Sequence, residues 1–151
     1  MKYLRKTVIF MVVFFTVLIS GCIGTQEDNS NNNFSNEVTV EGETFYLPDG
    51  FTLINSEDIG GGIGYEYSDG TDSIVIAKYH YLSKSEVLYN LKSSDAAVIL
   101  DESAVYTGYS GIVAEINGGE SRMFVFDKNG VTFAIEMGNL SIGEYVPKIL
   151  G

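Results

Sequence analysis

From Val38 onward, apolar and polar residues alternate in short runs separated by glycine turns, which is the pattern of antiparallel strands. Val38-Thr39-Val40 and Thr44-Phe45-Tyr46-Leu47 flank Glu41-Gly42-Glu43, and after Pro48-Asp49-Gly50 a further strand runs over residues 51–54. Tyr65-Glu66-Tyr67 turns at Ser68-Asp69-Gly70-Thr71 into a strand over residues 73–82. Asp-Gly supplies the positive φ values that a hairpin needs. Strands follow over residues 97–100, 104–107, 111–116, 121–126 and 131–137, with hairpin loops at 117–120 and 127–130 that predict a closing meander. In the last strand Val131, Phe133, Ile135 and Met137 share the face expected to meet the core, and Thr132, Ala134 and Glu136 share the other.

Two stretches change period. Ser83-Lys84-Ser85-Glu86 has the capping-box spacing, and Val87, Leu88 and Leu91 make one narrow apolar stripe before Ser93-Ser94-Asp95 ends the helix. Ser141-Ile142-Gly143-Glu144 repeats the box, with Pro147 where it strains the helix interior. Strands, helix, strands, helix predict one α+β domain over residues 38–151. Its architecture is a largely antiparallel sheet of about six to eight strands, with a middle helix and a short C-terminal helix packed on it.

The first 22 residues carry a different pattern. Lys2, Arg5 and Lys6 precede an apolar run over residues 8–19 broken only by Thr16, and Ser20 and Gly21 are small. These are the parts of a secretory signal. The run is shorter than the roughly 20 residues that span a bilayer, and the positive start directs the remainder of the chain outward. Ile19-Ser20-Gly21-Cys22 resembles the lipobox of prokaryotic lipoproteins. That resemblance implies removal of residues 1–21 and a diacylglycerol on the Cys22 thioether, two acyl chains being enough for stable anchoring. An uncleaved N-terminal anchor with Cys22 as bystander is the alternative, and it leaves the domain on the same side. Residues 23–37 are asparagine-rich and nearly free of apolar side chains. They are expected to form a disordered tether of about 20 Å.

Charge narrows the partners. Without residues 1–21 the chain keeps six of its nine basic and all twenty acidic residues, a net charge of −14. Such a field repels nucleic acid and offers no polybasic patch to anionic lipid. Membrane contact is then expected through the anchor alone. Cys22 is the only cysteine, so the domain has no disulfide and must rely on its core.

Candidate chemistry is sparse. Residues 60–64, Gly-Gly-Gly-Ile-Gly, fit neither phosphate-binding glycine motif. His80 is the sole histidine, which leaves a zinc site or a nucleophile-base pair short of partners. Asp69-Gly70-Thr71-Asp72 lacks the calcium-loop run, and Glu57-Asp58 and Asp101-Glu102 are adjacent pairs that point to opposite sides of an extended chain. No catalytic residue, metal or cofactor is therefore assigned. Tyr65, Tyr67, Tyr79 and Tyr81 lie on the two arms of one hairpin and are the candidate binding face, since rings with a polar tip suit partner and glycan surfaces. Tyrosine is also simply a good strand residue. Asn33-Phe34-Ser35 and Asn139-Leu140-Ser141 match the glycosylation pattern.

Phe45-Tyr46-Leu47-Pro48-Asp49-Gly50-Phe51, followed by the hairpin, the middle helix and the late meander, looks like the Mog1/PsbP-like domains. Those are typically non-catalytic and bind partners or assist assembly, and no functional residue transfers. The expectation is a lipid-anchored membrane protein facing out of the cytoplasm, with a non-enzymatic role in binding a protein or cell-wall polymer. A surface hydrolase using carboxylates and a purely structural envelope protein are the alternatives.

Overall fold

The computed structural model describes residues 33–151. The lipobox with Cys22, and the tether up to residue 32, lie outside the described residues. Asn36–Val40 (β1) and Glu43–Leu47 (β2) pair as a separate hairpin. The main sheet has seven strands: Thr52–Asp58 (β3), Gly62–Ser68 (β4), Ser73–Tyr79 (β5), Ala97–Tyr106 (β6), Tyr109–Ile116 (β7), Ser121–Lys128 (β8) and Val131–Met137 (β9). Lys84–Lys92 (α1) and Ile142–Leu150 (α2) are the helices. The domain is thus α+β, and its strands pair antiparallel throughout.

The strand order β3-β4-β5-β9-β8-β7-β6 joins two meanders through the pairing of β5 with β9. Between the meanders α1 must carry the chain from β5, mid-sheet, to β6 at the far edge, four strand spacings or about 19 Å away. One face of the sheet is therefore crossed by α1. The other is covered by the β1-β2 hairpin and α2.

The two faces differ in bulk. Phe124, Phe126, Phe133, Ile135 and Met137 turn toward the hairpin and α2, where they meet Phe45, Leu47, Tyr145, Val146 and Ile149 in the larger core. Ala77, Ala114, Val125 and Ala134 turn toward α1 and meet Val87 and Leu91. Lys128, nearly buried, fastens the hairpin: its Nζ donates to the Thr44 carbonyl at 2.8 Å and lies 4.6 Å from the centre of the Phe45 ring.

Several expectations need correction. The opening strands leave the main sheet to form their own pair. The folded part begins before Val38, because Phe34 packs edge-on against Tyr145 at 5.4 Å and β1 starts at Asn36. Residues 97–100 and 104–107 are one strand whose register slips twice, with Asp101 accepting from the Ser103 amide at 2.8 Å. Bulges of this kind blunt an exposed sheet edge. Strand β5 stops at Tyr79 rather than continuing to residue 82.

The helix starts differ as well. At α1 the capping box forms: the Ser83 hydroxyl accepts from the Glu86 amide, and Glu86 Oε2 accepts from the Ser83 amide at 2.8 Å. At α2 the Ser141 side chain caps nothing; its carbonyl accepts from Glu144 and Tyr145 instead. Pro147 does not break α2. Five buried residues of that helix, Ile142, Tyr145, Val146, Ile149 and Leu150, hold it against the core, and such packing outweighs local propensity.

Candidate functional site

Because α1 is short and crosses a face of small side chains, it does not fill the space beneath it. A cleft of about 670 Å³ remains between its C-terminal half and the sheet. Val75, Ala77 and Tyr79 of β5 and Ala134 and Glu136 of β9 form its floor, Met123 and Ile116 continue it, and Val87, Asn90 and Leu91 of α1 form its roof. Ile59, Leu82, Ser93, Ser94, Ala96 and Ala97 complete the rim. The helix is strapped down at both ends. Lys84 Nζ donates to the Ser110 carbonyl at 3.0 Å and lies 3.4 Å from Asp127, while Lys92 pairs with Glu102 at 2.5 Å.

Glu136 and Tyr79 are the titratable groups of the lining. Both are partly buried. Ser121 Oγ donates to Glu136 Oε1 at 2.5 Å. Burial pushes the Glu136 carboxyl above the usual carboxylate range, and the Ser121 hydrogen bond pulls it partly back. Burial, with the Glu136 charge adding to it, pushes the Tyr79 hydroxyl up to about 12. An apolar cleft of this size with two converging polar groups is the usual form of a small-molecule site.

A carboxyl whose folded pKa is raised favours the fold while protonated; that contribution is complete below the unfolded value and is lost as pH rises through the folded one. Glu41 and Glu86, held below the usual range by Tyr65 and Ser83 respectively, act in the opposite sense, losing their contribution as pH falls. Glu136→Gln keeps those two and removes the first. Melting temperatures of the variant and wild type should converge in acid, and the variant should become the more stable as pH rises toward neutrality.

The four hairpin tyrosines are not brought together on one face. Tyr65 pairs with Ile76 and Tyr67 with Ile74, on the side of the larger core, whereas Tyr79 pairs with Gly62 and faces the cleft. Tyr67 is buried and Tyr81, beyond the strand, is 84% exposed. Tyr65 belongs to a clasp: its hydroxyl donates to Glu41 Oε1 at 2.6 Å, while Lys78 Nζ and His80 Nε2 lie 3.8 and 3.7 Å from Glu41 Oε2. This cluster ties the β1-β2 turn to β4 and to the end of β5. The Glu41 hydrogen bond raises Tyr65 to about 12. His80 is thus placed at the hairpin turn and not in the cleft, whose lining holds one carboxylate.

Among the described residues no three His, Cys, Asp or Glu converge so as to hold a metal ion. Asn33 and Asn139 are both exposed, and Asn33 donates to Asp49 at 3.4 Å. Sequence reasoning misses Glu136 as a site residue because it alternates with Thr132 and Ala134 on what reads as a solvent face. The signal that could have found it is the contrast between those small residues and Phe133, Ile135 and Met137 on the reverse side.

The fold defines a three-layer α+β domain with an open cleft under its crossing helix. No protein-family model matches the chain, and no curated protein matches it significantly.

Proposed function

We propose that this chain is a lipid-anchored, outward-facing binding protein that takes a small molecule with a largely apolar body into the cleft beneath α1. The observation that carries this reading is the cleft itself, largely apolar walls with Glu136 and Tyr79 as their titratable pair. Tyr79 is the one member of the hairpin tyrosine set that contributes to it. The anchor is inferred from Ile19-Ser20-Gly21-Cys22 and the apolar run before it, and the Mog1/PsbP-like resemblance agrees with a binding role. Among the described residues no helix is long and apolar enough to cross a membrane.

Two measurements test it. Cys22→Ser should move the protein from the membrane fraction to the soluble one, and unchanged fractionation would count against acylation. An environment-sensitive apolar fluorophore should bind the native chain one to one. Ala77→Leu, which places three more carbons in the cleft floor, should reduce that binding on the order of tenfold while leaving the fold intact. Equal dye binding by the variant would remove the cleft as the site.

A further inference from the structure

The cleft contains a carboxyl group that no cation of the described residues answers. All six Lys and Arg side chains of residues 33–151 lie within 3.9 Å of a carboxylate, and in each case that carboxylate belongs to a residue other than Glu136. Glu136 receives only the neutral Ser121 hydroxyl among the hydrogen bonds described for it.

Two more acids share its face of the sheet. Glu66, 6% exposed, pairs in register with Val75, which in turn pairs with Glu136. Glu57 lies opposite Gly64 on β3, and its Oε1 is buried without a hydrogen-bond partner. Neighbouring strands are about 4.8 Å apart, so the Glu66 and Glu136 backbones are separated by roughly twice that. Neither Glu66 nor Glu57 lines the cleft, so Glu136 is the one carboxylate that a ligand there would meet. A metal ion needs convergent oxygens; an organic cation needs only one close carboxylate, an aromatic neighbour and a place for its hydrocarbon.

We propose that the ligand of the cleft is a protonated amine with an apolar body, its ammonium seated between Glu136 and the Tyr79 hydroxyl and its hydrocarbon lying against Ile116, Met123, Val87 and Leu91. This rests on the binding reading above and gives it a ligand chemistry. Binding draws Glu136 into its carboxylate form, because an ammonium in contact with it supplies the opposite charge that burial there otherwise lacks. Amine affinity therefore falls as pH drops through the raised Glu136 pKa. Around Glu136 are Tyr79 from β5, Ser121 and Met123 from β8, and uncharged Asn90 and Ser93 from the helix side, while Glu66 of β4 lies two strands away beyond Val75. Lys84 and Lys92 of α1 are held away by Asp127 and Glu102.

The test uses a matched set, octylamine, octanol and octanoate, titrated into the methyl-labelled full chain in lipid nanodiscs. Shifts of the Ala77, Ala134 and Met123 methyls report the cleft, and empty nanodiscs correct for partitioning. At neutral pH octylamine should bind on the order of tenfold or more tightly than octanol, and octanoate most weakly. Glu136→Gln should reduce octylamine to the level of octanol and leave octanol unchanged. Equal binding of amine and alcohol, a preference for octanoate, or an amine affinity untouched by Glu136→Gln overturns the ligand chemistry while the cleft stays a binding site. If none of the three shifts the cleft methyls, the binding reading falls with it.

Discussion

Phe133→Ala should destabilise the domain by about 3–5 kcal/mol, a large part of the roughly 5–15 kcal/mol that holds a domain of this size folded. Phe133 is completely buried at the middle of the sheet. Its ring lies 5.5 Å from Phe45 of the hairpin and 6.1 Å from Phe126 of β8, so it joins two layers that have no strand pairing between them. Its removal leaves a void walled by aromatic rings that β-sheet backbone on one side cannot collapse to fill. The hairpin should loosen before the sheet does, since Lys128 and the Glu41 clasp both hold it near its turn, at Thr44 and Glu41, and leave the rest of it to the aromatic packing. Denaturant unfolding with amide exchange on β1 and β2 checks both statements. Val131→Ala, at the half-buried start of the same strand, is the control and should cost about 1 kcal/mol. Comparable losses for the two variants would mean that the aromatic cluster is not the centre of the core.

Local signals account for the part of the fold that is legible in the sequence. Strand β9 keeps strict alternation between two unmistakable turn segments, and its bounds at Val131 and Met137 can be read directly. Helix α1 carries its own start signal, and Ser83 and Glu86 form the reciprocal pair that their spacing implies. Properties set by distant chain are harder to read. The parity that sends Tyr65 and Tyr67 to one face and Tyr79 to the other depends on Gly62 pairing with Tyr79, and one step of register would have reversed it. The two slips inside β6 interrupt alternation and make one strand resemble two. Burial of Glu136 comes from α1 having to travel from β5 to the far edge, which no window of residues around position 136 encodes. The candidate site is thus half visible: the small-residue face can be read from the alternation, and the helix that turns it into a cleft cannot be placed.

Gly62→Ala should cost about 3 kcal/mol, the upper part of the usual range for overpacking. An added Cβ would lie 2.0 Å from the Lys78 carbonyl oxygen and 2.8 Å from the Tyr79 Cα, and both are backbone atoms that no rotamer change can move aside. The approach is close because the Gly61 carbonyl accepts from two successive amides, His80 at 2.8 Å and Tyr81 at 3.2 Å, drawing the start of β4 onto the end of β5. Relief requires these strands to part at the point where Tyr79 enters the cleft. The variant should therefore lose fluorophore binding as well as stability, although it alters no residue of the cleft lining. Gly70→Ala separates this from ordinary glycine strain: its φ is +95° with nothing within 4 Å of the added carbon, so it should lose about 1 kcal/mol and bind the fluorophore normally. Full dye binding by folded Gly62→Ala would show that the spacing of β4 and β5 does not set the position of Tyr79.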